Sequence, residues 1–277
     1  MNISQIRLIT FSPTSTSRKV GEAIAVGTAI PTFEITELTL GGSPMPEISA
    51  DTLTIVTVPV YAGHVAPLAM QRLAELRSKG GAAVPVVVYG NRDYEKALIE
   101  LGDFLTERGF RLIAAATFIG EHSYSTADKP IAAGRPDASD LARARSFGEE
   151  IRKKIDAADS IDGLDSVNVA RIPRQRQPLI PQLRFVYNVI KLSRSTVAKP
   201  RTPEVDLQLC TNCGYCATIC PSGAIAKGNE CNTDSSKCIR CCACVKQCPH
   251  NARTFNTPFA ALLFNCFKQR REPGFST

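Results

Sequence analysis

The chain has 277 residues, enough for about two domains, with an ordinary hydrophobic fraction of 44% and a formal net charge of +7. No stretch approaches the ~18 uninterrupted apolar residues of a membrane span, and the N-terminus lacks the basic start and apolar core of a signal peptide. Because the chain lacks these signals and is rich in thiols, we expect a cytoplasmic protein without a membrane span or a nucleic-acid partner.

Residues 1–157 alternate strand and helix patterns, which is typical of a parallel sheet covered by helices on both faces. Strands are predicted at 6–11, 33–40, 53–60, 84–89 and 112–119, and helices at 15–26, 66–78, 93–108 and 138–157. This arrangement predicts an α/β domain, a doubly wound, flavodoxin-like five-stranded parallel sheet. In that fold a ligand lies beyond the carboxyl ends of the strands.

Three loops fall at that edge of the predicted sheet. The loop after the first strand carries hydroxyl groups on Ser12, Thr14, Ser15, Thr16 and Ser17. Hydroxyl groups and the unpaired amides of a helix N-terminus together can bind a phosphate. The same residue types also cap helices without binding any ligand, so this loop alone leaves both interpretations open.

The other two loops offer backbone amides and aromatic faces to a flat ring. The first of these consists of Pro59, Val60, Tyr61, Ala62 and Gly63, and the second contains Tyr89, Gly90, Asn91, Arg92 and Tyr94. Two nearby histidines, His64 and His122, are assigned no catalytic role, because an isolated histidine is more often a packed or surface residue.

Residues 158–204 form a predicted basic linker that contains several prolines. Between positions 171 and 203 there are eight basic residues and no acidic one, and apolar residues recur at helical spacing over 183–190. A second apolar helical pattern follows at 259–267. These features predict either a docking surface for an acidic redox protein or an anionic membrane, or short helices that pack the domains together. The second interpretation is favoured for the apolar residues, and an acidic redox protein remains the predicted partner.

Residues 205–277 contain eight of the eleven cysteines in two copies of one pattern, C-x2-C-x2-C-x3-C-P. The cysteines of the pattern are Cys210, Cys213, Cys216, Cys220, Cys238, Cys241, Cys244 and Cys248. Zinc sites favour two separated pairs and disulfides need an oxidising compartment, so the spacing favours iron–sulfur ligation. The remaining Cys231, Cys242 and Cys266 are interpreted as ordinary thiols. Lys227, Lys237 and Lys246 lie near the ligands in sequence, and we hypothesise that they tune reduction potentials.

Residues 205–257 resemble the bacterial ferredoxins that hold two 4Fe-4S clusters. The resemblance implies an α+β ferredoxin domain in which the fourth cysteine of each run serves the other cluster. One cluster would then be held by Cys210, Cys213, Cys216 and Cys248, and the other by Cys238, Cys241, Cys244 and Cys220.

The three loops resemble those of flavodoxins, and the whole chain resembles the EFR1-type flavodoxin–ferredoxin fusions. The resemblance to flavodoxins and to these fusions implies FMN. Its phosphate would lie on the loop of residues 12–17, and its ring between the loops of Tyr61 and Tyr94. Ser15 departs from the glycine that flavodoxin loops usually carry. The sequence contains no tryptophan, so Tyr61 or Tyr94 would have to stack on the ring.

Together these features predict an electron-transfer protein in which FMN and two 4Fe-4S clusters exchange electrons. One alternative is an FMN-dependent reductase of a small acceptor such as a quinone, with the clusters as its electron inlet. Another is a ferredoxin whose flavodoxin-like domain lacks flavin and acts as a binding module. No G-x-G-x-x-G fingerprint supports direct oxidation of a nicotinamide cofactor.

Overall fold

The computed structural model describes residues 3–42, 44–172, 174–197 and 200–277. Strands and helices alternate through the first part of the chain, as the sequence predicts. They are β1 (Gln5–Thr10), α1 (Thr16–Gly27), β2 (Thr32–Glu37), β3 (Thr52–Tyr61), β4 (His64–Val65), α2 (Pro67–Leu73), β5 (Ala82–Tyr89), α3 (Ala97–Glu107), β6 (Arg111–Leu112), β7 (Ala115–Ile119) and α4 (Ala138–Asp156).

The main sheet has the strand order β10-β7-β5-β3-β1-β2. The neighbours in this order pair in parallel, except β10 with β7, and the short β4 pairs antiparallel with β3 beside it. The order β2-β1-β3-β5-β7 is the flavodoxin-like order and confirms the predicted fold. The strand predicted at 112–119 is divided into β6 and β7, which both pair with β5. The break between them lies at residues 113 and 114. β5 is buried along its whole length, as expected for a central parallel strand covered on both faces.

Two apolar cores lie on opposite faces of this sheet. On one face α1 and α4 pack together, and the predicted apolar row of α4, Phe147, Ile151 and Ile155, is buried there. On the other face α2 and α3 supply Leu73, Leu98, Leu101 and Leu105 to the core. The burial of both faces leaves the carboxyl edge of the sheet as the place where loops can form a cavity.

The second part of the chain begins after a 3-10 turn at Val169–Arg171. Its elements are α5 (Leu179–Ser193), β8 (Glu204–Val205), α6 (Tyr215–Thr218), α7 (Ala243–Lys246), β9 (Arg253–Thr254), α8 (Pro258–Cys266) and β10 (Gly274–Ser276). β8 and β9 pair as a small antiparallel sheet that flanks the cysteine runs, which gives a ferredoxin-like region. Among the described residues, no helix is long and apolar enough to cross a membrane.

The chain returns to the first sheet at its C-terminus, which the sequence analysis did not predict. β10 pairs antiparallel with β7, and Phe275 packs on Phe147 with ring centroids 5.1 Å apart. Just before β10, Arg143 forms an ion pair with Glu272 and the buried Arg135 donates a hydrogen bond to the carbonyl of Arg271. These contacts hold the end of the cysteine-bearing part against the first sheet.

The cysteine runs themselves contact the carboxyl edge of the sheet. Lys246 forms an ion pair with Glu121 in the loop after β7, with 2.5 Å between the charged atoms. The side-chain amide of Gln247 donates to the carbonyl of Pro13 in the loop after β1, at 2.9 Å. Both residues lie in the second cysteine run, so that run is the one placed beside the loops of the sheet.

Candidate functional site

A cavity of about 460 Å³ lies at the carboxyl edge of the sheet. The loops after β1, β3, β5 and β7 form its walls, which is the position that the fold predicts for a ligand. The predicted site residues that line it are Thr14, Thr16, Ser17, Pro59, Val60, Tyr61, Ala62, Gly63, Tyr89, Gly90 and Arg92. The predicted residues Ser12, Ser15, Asn91 and Tyr94 are not part of its lining.

The loop after β1 presents unpaired polar groups to this cavity. The Ser17 hydroxyl is buried and has no hydrogen-bond partner among the described residues. Within the same described part of the chain, the amides of Thr14, Thr16 and Ser17 have no backbone acceptor. Buried polar groups are nearly always paired in folded proteins, so this loop fits an anionic group such as a phosphate.

Two residues of this loop that were predicted to bind the phosphate, Ser12 and Ser15, do not line the cavity. The Ser12 hydroxyl accepts a hydrogen bond from the Arg18 amide at 3.1 Å and therefore acts in part as a helix cap. Ser15 is exposed, and its φ of 62° lies in the left-handed region that favours glycine. The serine thus occupies the conformation that the glycine of flavodoxin loops would take, at some cost in backbone strain.

The loop after β3 forms the second wall. Its turn has a φ of 53° at Ala62 and 85° at Gly63, and a side chain at Gly63 would collide with Glu95. This turn leaves Tyr61 at the cavity, where burial raises the pKa of its hydroxyl well above the usual value. Tyr61 therefore remains protonated and offers a neutral aromatic ring to a flat ligand.

The loop after β5 departs from the prediction at two positions. Tyr94 was predicted to stack on a bound ring, but its own ring is buried in the core against Tyr89, with centroids 5.6 Å apart. Asn91, with a φ of 68°, turns its amide away from the cavity and donates to the carbonyls of Phe267 and Gln269. Asn91 therefore joins this loop to the C-terminal segment.

A fourth loop, Gly120–Tyr124, was missed because nothing in its sequence marks it as a ligand loop. His122 packs over Gly90, where any side chain would collide with the imidazole ring. The Tyr124 amide donates to Nδ1 of His122 at 3.0 Å, so the proton of the neutral ring is on Nε2. Burial, with Lys246 and Arg92 nearby, lowers the pKa of His122 to about 4. His122 is therefore a neutral hydrogen-bond donor in the cavity wall.

Glu121 of the same loop also lines the cavity. Burial alone would raise the pKa of its carboxyl group, but hydrogen bonds from Lys246 and from the Gly134 amide hold that pKa below the usual value. Its negative charge is thus paired with Lys246, which reduces the net charge that Lys246 can place near the second cysteine group.

Residues from the second part of the chain close the cavity. Phe185 and Val189 of α5 and Phe259 and Leu263 of α8 contribute apolar side chains. Ile239 and Arg240, which separate Cys238 from Cys241, complete the lining. Because two residues of a ligand run are also residues of the cavity wall, the cavity and the second cysteine site share a wall.

The eight cysteines of the two runs form two separate groups. Cys210, Cys213, Cys216 and Cys248 surround one small cavity. Cys220, Cys238, Cys241 and Cys244 surround the other. Each group takes three cysteines from one run and the last cysteine from the other, which is the ligand exchange that the ferredoxin resemblance implies.

The two runs have matching backbones. Asn212 and Arg240, at equivalent positions, have φ values of 52° and 56°, and Gly214 and Cys242 have values of 79° and 58°. The amide of Ala224 donates to Cys220 Sγ at 3.2 Å, and the amide of Ala252 donates to Cys248 Sγ at 3.3 Å. Amide donors stabilise thiolates, so the repeated turns fit ligands of a metal cluster.

The thiols of the second group are costly to ionise without a metal. Burial raises the pKa of Cys241 to about 12 and that of Cys244 to about 11. A positive cluster iron is the natural counterion for such buried thiolates, and its binding would release the protons.

Arg253 lies between the two cysteine groups and is itself buried. Its guanidinium donates to Cys244 Sγ at 3.7 Å, and the same side chain lines the small cavity of the other group. The same group donates to the Thr233 hydroxyl and to the carbonyl of Glu230, which fix its position. Three lysines were predicted to tune the reduction potentials, but this arginine was not. Arg253 contacts Cys244 of the second cysteine group and lines the cavity of the first.

The three cysteines outside the pattern occupy different environments. Cys231 is exposed, with its Sγ 3.9 Å from that of Cys210. Cys242 is buried and lines the second cysteine site, in the left-handed conformation that its equivalent Gly214 adopts. Cys266 packs with Leu263 and Phe267 in a small apolar cluster between α8 and the loop after β7.

Comparison with known proteins supports the cysteine sites. Residues 202–225 match a family model described as a 4Fe-4S binding domain, and residues 232–254 match a second model with the same description. No curated protein matches the chain. These matches favour iron–sulfur ligation over zinc or disulfides.

Solved structures similar to this chain include flavodoxins. One is a flavodoxin from the domain Archaea, with 13% identity over 55% of this chain and 99% of that chain, and a TM-score of 0.40. Another is flavodoxin 1 from Bacillus cereus, with 17% identity over 54% of this chain and 98% of that chain, and a TM-score of 0.40. The strand order observed in the sheet establishes the fold independently of these similarities. A flavodoxin-like sheet is therefore joined to two segments that match 4Fe-4S binding domains, which indicates an iron–sulfur protein.

Proposed function

We propose that this chain binds FMN in the cavity at the sheet edge and two 4Fe-4S clusters in the cysteine sites, and passes electrons between them. The observation that carries the proposal is the shared wall, since Ile239 and Arg240 belong to both the cavity and the second cysteine run. A flat ligand in the cavity would lie one residue layer from the cluster held by Cys220, Cys238, Cys241 and Cys244. We further propose that the chain is an EFR1-type fusion with its flavodoxin-like part in residues 1–157, a linker in 158–204 and its ferredoxin part in 205–277.

The residues of the cavity fit an FMN molecule by chemistry and by position. The unpaired Ser17 hydroxyl and the free amides of Thr14 and Thr16 would hold the phosphate. Tyr61 would offer a ring face, and His122 would donate a hydrogen bond from Nε2. Bound FMN would supply a carrier that accepts an electron pair and releases electrons singly.

The protein's own contribution is to place and isolate these carriers. Phe185, Val189, Phe259 and Leu263 would keep water from one side of the cavity. The Ala224 and Ala252 amides would hydrogen bond to cluster sulfurs, and Arg253 would favour the reduced form of both clusters. The ion pair between Lys246 and Glu121 would fix the distance between the cavity and the nearer cluster.

The decisive experiment is the composition of anaerobically purified protein. We expect about eight irons, about eight sulfides and about one FMN per chain. Flavin without iron, or zinc in place of iron, would refute the cluster assignment. Iron without flavin would favour the alternative in which the flavodoxin-like part is only a binding module.

The phosphate assignment has its own test. Replacing Ser17→Ala should weaken FMN binding about tenfold, because a hydrogen bond to a charged group is lost. The measurement is fluorescence titration of flavin-free protein, with Ser146→Ala, an exposed serine on α4, as the matched control. Equal FMN affinity in the Ser17 variant and the control would show that the phosphate lies elsewhere.

A further inference from the structure

The outer face of α5 is apolar and faces solvent. Six large apolar side chains along it are 46–79% exposed. They are Leu179, Ile180, Leu183, Val186, Tyr187 and Ile190. No residue of this helix is buried. The favoured prediction for Leu183, Val186, Tyr187 and Ile190 was packing between the domains, and their exposure contradicts it.

The opposite face of α5 packs against the rest of the chain. Phe185 and Val189, four residues apart, line the cavity, and Phe185 lies against Phe267 with ring centroids 5.0 Å apart. Since the inner face is already occupied, the outer apolar row has no role inside the described part of this chain. An exposed apolar row of this size in a soluble protein usually marks a contact with another surface.

The charges around this row select an anionic partner. Arg184, Lys191 and Arg194 are exposed on the same helix, and the sequence from 171 to 203 contains eight basic residues and no acidic one. A symmetric contact with a second copy would bring two such basic segments together, which is unfavourable. The row and its charges therefore do not suit self-association.

We propose that α5 lies in the headgroup region of an anionic phospholipid bilayer. The 15-residue helix is about 22 Å long, and its apolar row extends along it in a single line, as in helices that lie in the plane of a membrane surface. Arginine and lysine side chains beside the row can reach phosphate groups while their stems cover apolar surface.

This placement has a consequence for the cavity. Because Phe185 and Val189 line the cavity from the inner face of α5, a bilayer on the outer face would lie about one helix diameter, ~10 Å, from the cavity. The proposal goes beyond the function proposed above and does not depend on it, since vesicle binding can be measured whatever the flavin content.

The test uses sedimentation of the full-length, cluster-loaded protein with sonicated vesicles. We expect binding to phosphatidylglycerol vesicles that weakens as salt is added, and little binding to phosphatidylcholine vesicles. The double variant Leu183→Glu/Ile190→Glu should lose at least tenfold in binding, because it places charge in the apolar row. Arg184→Gln/Lys191→Gln should lose about fivefold for each charge removed.

The control is Ile99→Glu, which introduces one such charge at an exposed isoleucine on α3. It should bind vesicles as the parent protein does, and all variants should retain the same iron content. Three outcomes would overturn the proposal. They are absence of binding to phosphatidylglycerol vesicles, equal binding to phosphatidylcholine vesicles, and an equal loss in the Ile99 control. Salt-sensitive binding to an acidic redox protein without any vesicle binding would assign the surface to a protein partner instead.

Discussion

Arg253 illustrates how one side chain can act on two redox sites. It is buried, it donates a hydrogen bond to Cys244 of one cysteine group and lines the small cavity of the other, and Thr233 and Glu230 hold it in place. A buried positive charge favours the more negative, reduced state of any cluster beside it. The exposed Lys227 lies near the same ligands in sequence but has its charge in water, where it is screened.

Replacing Arg253→Gln should therefore lower the midpoint potentials of both clusters, by on the order of 100 mV at an effective dielectric of about 20. Redox titration followed by electron paramagnetic resonance measures both potentials in one sample. Lys227→Gln is the matched control and should change them little. A shift in only one cluster, at full iron content, would contradict the position of Arg253 between the two sites.

The helices α1 and α4 cross at close range. A side-chain carbon at Gly148 would lie 2.2 Å from the carbonyl oxygen of Ile24, and one at Gly27 would lie 2.0 Å from that of Arg145. Because the neighbouring atoms are backbone, neither can move without displacing a helix. The two glycines thus set the spacing of the layer that covers one face of the sheet.

Gly148→Ala tests this crossing. Alanine would gain roughly 1 kcal/mol in helix propensity, but overpacking against backbone should cost more, so we expect a net loss of stability of about 1–2 kcal/mol. Urea unfolding followed by circular dichroism gives the change. Ser146→Ala, exposed on the same helix, should be neutral or slightly stabilising. A Gly148 variant as stable as this control would show that the helices can separate at little cost.

The elements whose positions were predicted well are those with a clear hydrophobic pattern. The predicted ends of β5 and α4 lie within about two residues of the observed ones, because β5 is a continuous buried run and α4 buries one regular apolar row. β10 was missed, since three residues, Gly274–Ser276, are too few to show a period. The extent of α5 was underestimated, and no pattern in the sequence could show that its apolar row remains exposed.

At the scale of the whole molecule, the cavity is assembled from segments distant in sequence. Three of its loops could be predicted because each follows a recognisable strand. Tyr94 was misplaced because sequence does not reveal which side of a loop packs into the core. Phe185, Phe259 and Arg240 could not be assigned to the cavity, since their position depends on how the second part of the chain lies on the first.

The last strand contributes to that arrangement. Ending the chain after Glu272 removes β10 and the packing of Phe275 on Phe147, but keeps the ion pair of Glu272 with Arg143. We expect the sheet to lose about 2 kcal/mol of stability, mainly from lost apolar burial, while iron content stays unchanged. Thermal unfolding and iron analysis test both parts. Removal of Thr277 alone is the control. Loss of iron with an unaltered unfolding transition would show that β10 supports the cysteine sites and does not stabilise the sheet.

The exchange of Cys220 and Cys248 between the two cysteine groups bears on biosynthesis. A ribosome makes Cys210, Cys213 and Cys216 before Cys248, so the first cysteine group cannot be complete until the second run has been translated. A chain that stops before the second run would keep only three thiols of the first group. With the clusters proposed above, neither centre would have its four protein ligands until the second run is made.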